Sequence, residues 1–196
     1  VNKSGSSPSG IIGIGQSNVT LATFELNAQG EDIQIQRADI AITGTSAATD
    51  FAGTVKLMTD AGATLYSVAA STASLYDDDT AGNDVVTFST YYTIPAGTIL
   101  KLKLVADASS TITGTDTAIG NISDIYFKRM TTNTYGTASA ATAVAGNTLT
   151  ASAATLTVVN NASEGNGTVI EGGSNILLGS YLLQTSSAEG VNVSSI

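Results

Sequence analysis

Apolar and polar residues alternate with a period of two along most of the chain, and the 3.6-residue spacing of an amphipathic helix is nearly absent. The clearest strand covers residues 86–94, where Val86, Phe88, Tyr92 and Ile94 share one face with Thr90 between them. Pro95-Ala96-Gly97 ends it, Pro by fixing φ and Gly by tolerating positive φ. In Leu100-Lys101-Leu102-Lys103-Leu104 the leucines point one way and the lysines the other, which is a half-buried strand with a solvated face. Read together, the two segments predict an antiparallel hairpin.

The same grammar recurs elsewhere. Val19, Leu21, Phe24 and Leu26 alternate with a slip of phase at Ala22-Thr23, and Ile33, Ile35, Ile40 and Ile42 do so with a slip near Arg37-Ala38. One extra residue that re-aims the alternation is the mark of a β-bulge. Residues 55–57, 65–68, 125–127 and 156–158 supply shorter strands, and loops rich in Gly, Asp, Asn, Ser or Thr fall at 43–50, 77–84, 106–116 and 131–146. The last of these is alanine-rich and reads as an extended loop or an edge strand. Short strands with frequent turns predict an all-β fold, an antiparallel β-sandwich that is Ig-like or jelly-roll-like. Its expected core contains Leu21, Phe24, Leu26, Ile33, Ile35, Val86, Phe88, Leu102 and Leu104.

The two ends of the chain resemble each other. Gly15 through Leu26 aligns with Gly172 through Leu183, matching Val19 with Ile176, Leu21 with Leu178, Phe24 with Tyr181 and Leu26 with Leu183. One inserted residue later, Glu31-Asp32-Ile33-Gln34-Ile35 aligns with Glu189-Gly190-Val191-Asn192-Val193, and upstream Val1-Asn2-Lys3-Ser4 resembles Val159-Asn160-Asn161-Ala162. The offset, 172 − 15, is 157 residues. The expected organisation is a linker or donor segment (1–14), a sandwich domain (15–159), a Gly/Ser/Asn-rich junction (160–173), and a partial second repeat or exchanged strands (174–196). The apolar positions of that last segment, Ile176, Leu178, Tyr181, Leu183, Val191 and Val193, need a covering sheet and are the candidate assembly residues.

Composition narrows the functions available. Seven Lys+Arg against 16 Asp+Glu leave a net charge of −9, which excludes a basic surface tracking phosphates. Charged residues are only 12% of the chain, and a mean hydropathy of +0.21 marks a sequence able to bury a core. No apolar run approaches the ~20 residues of a membrane-spanning helix. Cys, His and Trp are absent, which removes thiol nucleophiles, a Ser-His-Asp triad and the usual zinc and iron–sulfur ligands. The sequence therefore points away from an enzyme. Abundant Thr, Ser, Gly, Ala and Asn suit an extracellular β protein with a hydroxylated surface. The chain begins at Val1 with neither an initiating Met nor an apolar leader, which reads as a processed product or an excerpt.

Two clusters carry candidate chemistry. Asp77, Asp78, Asp79, Asn83 and Asp84 crowd oxygen donors into one loop, either a solvated acidic turn or a calcium site completed by another loop. Six Asn-x-Ser/Thr sequons occur at Asn2, Asn18, Asn121, Asn161, Asn166 and Asn192, with Asn161 and Asn166 in the Gly-rich junction the accessible candidates for glycosylation. Lys101 and Lys103 read as guards against edge-to-edge sticking, and Tyr91 alone of the Tyr91-Tyr92 pair faces outward.

The Ser/Gly-rich lead, residues 17–26 and 31–35, Thr93-Ile94-Pro95-Ala96-Gly97-Thr98 and the following strand ending Val105-Ala106-Asp107 together resemble a class of large tandem-repeat cell-surface proteins of uncultivated bacteria and archaea. The resemblance spans about the whole chain, but only the Ile-Pro-Ala-Gly and Ser-Asn-Val-Thr-Leu segments are specific. It implies S-layer-like, filament or adhesin roles without catalysis and transfers no functional residues. The expected function is a structural subunit of an extracellular filament or layer, associating with copies of itself or with neighbouring repeats. A carbohydrate-binding or adhesin module is the alternative, and it would show as an exposed aromatic cluster at one end of the sandwich.

Overall fold

The computed structural model describes residues 1–45, 48–76, 85–153, 155–163, 168, 171–177, 179–186 and 191–195. The chain forms two compact units, Val1–Ser152 and Ala153–Ile196. The first holds eleven described strands: β1 (Asn2–Lys3), β2 (Gly10–Gly13), β3 (Val19–Asn27), β4 (Ile33–Gly44), β5 (Phe51–Thr59), β6 (Thr64–Ala69), β7 (Val85–Ile94), β8 (Ile99–Ala108), β9 (Thr117–Arg129), β10 (Tyr135–Ala145) and β11 (Leu149–Ser152). One sheet runs β1-β3-β8-β5-β6 and the other β2-β11-β9-β4-β7, with β10 also paired to β9. Every pairing is antiparallel except β2 with β11, which is parallel.

Side chains from both sheets form one core. Leu21, Phe24 and Leu26 of β3 and Leu102 and Leu104 of β8 meet Ile35, Ile40 and Ile42 of β4 and Ile122 and Ile125 of β9, all buried. This is the β-sandwich expected from the alternation. Of the expected core, Leu21, Phe24, Leu26, Ile35, Leu102 and Leu104 are buried and Ile33 packs half-buried against them. The side chains of Val86 and Phe88 lie outside the described residues. Both phase slips are irregularities of register: β3 shifts against β8 between Thr20 and Ala22, and β4 against β9 between Ile35 and Arg37 and again between Ala38 and Ile40. The alanine-rich 131–146 segment supplies β10, the edge-strand alternative.

The expected hairpin of residues 86–94 and 100–104 is not formed. β7 pairs with β4 in one sheet, and β8 lies between β3 and β5 in the other, so Pro95-Ala96-Gly97 carries the chain across the sandwich. Gly97, at φ +75, donates its N–H to Ala28 O (2.8 Å), and Ala28 N–H donates to Thr98 O (3.1 Å), fixing the crossing to the end of β3. Alternation shows which face of a strand is buried but not which strand lies beside it. A hairpin and a crossing therefore leave the same pattern.

Residues 1–14, read from sequence as a linker or donor segment, contribute β1 and β2 to the sandwich. Residues 156–159, read as part of the sandwich domain, and Asn160, read as the start of the junction, form β12 of the second unit instead.

Two surface turns are tied by carboxylates. Glu31 accepts hydrogen bonds from the backbone of Thr132 (3.0 Å) and Thr131 (2.8 Å) and from the Thr132 hydroxyl (3.0 Å), and Asp116 accepts from the Thr113 hydroxyl (2.6 Å) and backbone N–H (2.8 Å). These bonds favour the ionised forms and hold both groups below their ordinary values of 4.5 and 3.8. A depressed folded-state value contributes stability that is complete above the ordinary value and is lost as pH falls through the folded one. Melting followed from pH 7 to pH 3 should therefore show stability declining below the ordinary carboxylate values, and the Glu31→Gln/Asp116→Asn variant should decline less steeply. An unchanged pH profile in the variant would remove these turns as the cause.

Candidate functional site

Among the described residues the second unit holds a ribbon of two strands, β12 (Leu156–Asn160) and β13 (Tyr181–Thr185), and its geometry repeats that of β1 and β3. In the sandwich Lys3 pairs with Phe24 and Asn2 with Glu25, while in the ribbon Asn160 pairs with Tyr181 and Val159 with Leu182. Every member of the second set lies 157 residues after its counterpart. Ser4 N–H donates to Thr23 O at 2.9 Å, and Asn161 N–H to Ser180 O at the same distance. Ser6 N–H donates to the Ser4 hydroxyl at 3.2 Å, and Ser163 N–H to Asn161 Oδ1 at 3.2 Å.

The turn before the second strand recurs as well. Gly15 has φ +76 and Gly172 φ +81; Asn18 has φ +53 and Asn175 φ +57. A left-handed Asn is uncommon, so its recurrence at the same place in the turn marks a shared local fold. The structure also corrects the sequence alignment of the first strand by one residue. Shared Val-Asn letters aligned Asn2 with Asn160, whereas the two ladders put Asn160 at the position of Lys3 and Asn161 at that of Ser4.

What differs is the covering. Phe24, Leu26 and Val19 are 0%, 5% and 7% exposed; their counterparts Tyr181, Leu183 and Ile176 are 67%, 39% and 37% exposed. In the sandwich Val1, Leu26 and Ile35 line a pocket of about 60 Å³ together with Ile94, Ile125, Phe127 and Ala138. Val158, Leu183 and Val193, which align with Val1, Leu26 and Ile35 in sequence, line an apolar trough of about 380 Å³ with Leu156 and Tyr181 beside them. Val191 and Leu182 are exposed too. Leu178, the remaining assembly residue from sequence, lies outside the described residues. Sequence reading missed Leu156, Val158 and Leu182; the alternation of Leu156 and Val158 was read as part of the sandwich.

Among the described residues the other sequence candidates gather no site. Asp77, Asp78, Asp79, Asn83 and Asp84 lie outside the described residues, and among the described residues no group of three or more His, Cys, Asp or Glu is placed to hold a metal ion. Asn166 also lies outside them. Asn161 donates through Nδ2 to the Ser180 hydroxyl (3.1 Å) and accepts the Ser163 hydroxyl (2.7 Å), so its amide is engaged in the turn. Lys101 pairs with Glu25 at 3.9 Å and Lys103 with Asp60, both at the surface.

Tyr91 is exposed and Tyr92 half-buried against the core. Tyr126 is covered by the Arg37 guanidinium at 4.4 Å, which takes one ring face away from any ligand. Tyr76 stacks on Phe51 at 6.2 Å, and burial, reinforced by Asp50, pushes its hydroxyl up to about 12. That tyrosine is a packing residue.

Set against models of protein families, curated proteins and solved structures, the chain matches none. Among the described residues no helix is long and apolar enough to cross a membrane.

Proposed function

We propose that the chain is a structural subunit of an extracellular assembly, a filament or surface layer, that grows head to tail by association of β-sandwich copies. The observation that carries this reading is the ribbon of β12 and β13. It has the pairing register and the turn of the first strands of the sandwich and lacks, among the described residues, the strands that bury them there. An isolated two-stranded ribbon is marginal in water, and a neighbouring copy can supply the cover its apolar face needs. Main-chain hydrogen bonds along the β13 edge would supply affinity and the apolar trough would supply fit. The surfaces involved, a sandwich and a ribbon, are different, so the contact is heterologous and propagates unless its rotation closes a ring.

The low charge of the chain and its hydroxyl-rich surface support an extracellular, self-packing role. Sedimentation of the full chain over a concentration series tests the reading. The expected result is an average size that keeps rising beyond the dimer. Because the contact is apolar and main-chain, growth should persist at about 1 M salt, where exposed charges are screened within about 3 Å. A single monomeric species at every concentration would refute self-assembly.

A further inference from the structure

The outer face of the second sheet carries a cluster that plays no part in the core. The register of β4 shifts between Ile35 and Arg37 against both of its neighbours, β7 and β9, so Gln36 is the extra residue of a bulge. Strict alternation from Ile35 would turn Arg37 inward. The bulge turns it outward, while Ile35 and Ala38 stay buried. There Arg37 lies opposite Tyr126 of β9, its guanidinium 4.4 Å from the ring centroid. Two residues along β9, Lys128 lies opposite Tyr135 of β10, with its ammonium 6.0 Å from that ring, and opposite Gln34 of β4 on its other side. Arg37 and Lys128 are thus diagonal neighbours, about 7–8 Å apart along the backbone. Among the described residues the ion pairs are Lys101 with Glu25 and Lys103 with Asp60, so neither Arg37 nor Lys128 is in one. In a chain of net charge −9, two cations and two tyrosines share one patch across three adjacent strands.

We propose that this patch binds an acidic polysaccharide, one whose sugars carry carboxylates. Stacking on Tyr126 occupies the flat face of the Arg37 guanidinium and leaves its edge donors, already oriented, for a bidentate carboxylate. Lys128 adds a second positive charge. Tyr135 is 74% exposed and offers a rigid ring for the C–H face of a sugar. The Gln34 amide accepts a hydrogen bond from Gln36 Nε2 (3.2 Å), which orients its own N–H donors for sugar hydroxyls. Adjacent strands lie about 4.8 Å apart, so the row of Tyr135, Lys128 and Gln34 spans about two sugar rings.

Asp124 stands on the same face of β9, two residues from Tyr126 on the side away from Lys128. Its charge directs an anionic polymer across the strands at Lys128 rather than along β9. An acidic polypeptide fits less well. Protein partners draw affinity from side chains anchored in buried pockets, whereas this face is an open sheet of rings, amides and hydroxyls.

Calorimetric titration of the dilute full-length chain with oligogalacturonate at pH 7 and low salt tests the proposal, with dextran and poly-L-glutamate of similar length as the neutral and polypeptide probes. Oligogalacturonate should bind, and both other polymers should bind at least about tenfold more weakly. Arg37→Gln should weaken binding at least about tenfold, as for hydrogen bonds to a charged group. Arg37→Lys keeps the charge and loses the fork, and should weaken it about three- to tenfold. Tyr135→Ala should cost about three- to tenfold with no change of charge. Lys56→Gln removes the same charge from β5 in the other sheet and should change binding less than about twofold.

Arg37 and Tyr135 are exposed, so circular dichroism of their variants should match that of the unmodified chain. No binding of oligogalacturonate at millimolar concentration would overturn the proposal. So would equal binding of dextran or poly-L-glutamate, unchanged binding by Arg37→Gln, or an equal loss from Lys56→Gln. These readouts are taken on the dilute chain, so they stand or fall independently of self-assembly.

Discussion

Phe24→Ala lowers the stability of the sandwich by about 3–5 kcal/mol, while Tyr181→Ala, at the matching place 157 residues later, leaves it unchanged within about 0.5 kcal/mol. Phe24 is fully buried between the sheets, so truncation removes its transfer energy and opens a cavity that its neighbours fill only in part. Tyr181 is mostly exposed and belongs to the other unit, so the sandwich loses nothing with it. Its effect should fall on association instead: the concentration at which the chain begins to assemble should rise at least about fivefold, as for an aromatic anchor at an interface. Urea unfolding followed by far-ultraviolet circular dichroism gives the first quantity and light scattering gives the second. Equal destabilisation by the two substitutions would show that the ribbon is already packed into a core, and the account would fail.

Removing residues 174–196 produces the second large effect. The described core is drawn wholly from Val1–Ser152, so the truncated chain should keep its cooperative transition with a melting temperature within about 2 °C of the full chain. Without β13 there is neither an edge to extend nor an apolar trough to cover, and growth should stop at the monomer. Unfolding of the truncated chain would mean that the tail is an integral part of the sandwich. Normal assembly of a folded truncation would place the contact elsewhere.

Much of this molecule is legible in its sequence because half-buried strands record their faces. The leucines of β8 and the β3 series Leu21, Phe24 and Leu26 declare the core, and the phase slips declare the irregularities of β3 and β4. Neighbours are another matter. β7 and β8 alternate as a hairpin would, yet they belong to different sheets, because the pattern carries no information about hydrogen-bonding partners. β1 and β2 were hidden by length: two and four residues among Ser and Gly show no period, and β2 is held by parallel pairing with β11, more than a hundred residues away.

The candidate site was readable in outline for a similar reason. Ile176, Tyr181 and Leu183 stand out against the first copy, so a repeat was visible. That β12 belongs with β13 was not, since the two strands are separated in sequence by the long Gly/Ser/Asn-rich stretch and meet through their ladder. Leu182 escaped notice because its counterpart, Glu25, is polar and solvent-facing in the first copy. Only its register opposite the missing strand gives it meaning.

Hydrogen exchange of the β13 amides, Tyr181–Thr185, compared between dilute and concentrated full-length chain, tests the central claim most directly. Edge amides open to water exchange readily, whereas amides paired inside a sheet exchange only when the sheet opens. Those β13 amides that point away from β12 should exchange fast in the dilute chain and slow by about tenfold or more on assembly, while the amides of β8 stay slow in both states. Exchange at β13 that is the same at both concentrations, whether fast or slow, would contradict completion of the second copy by a neighbour.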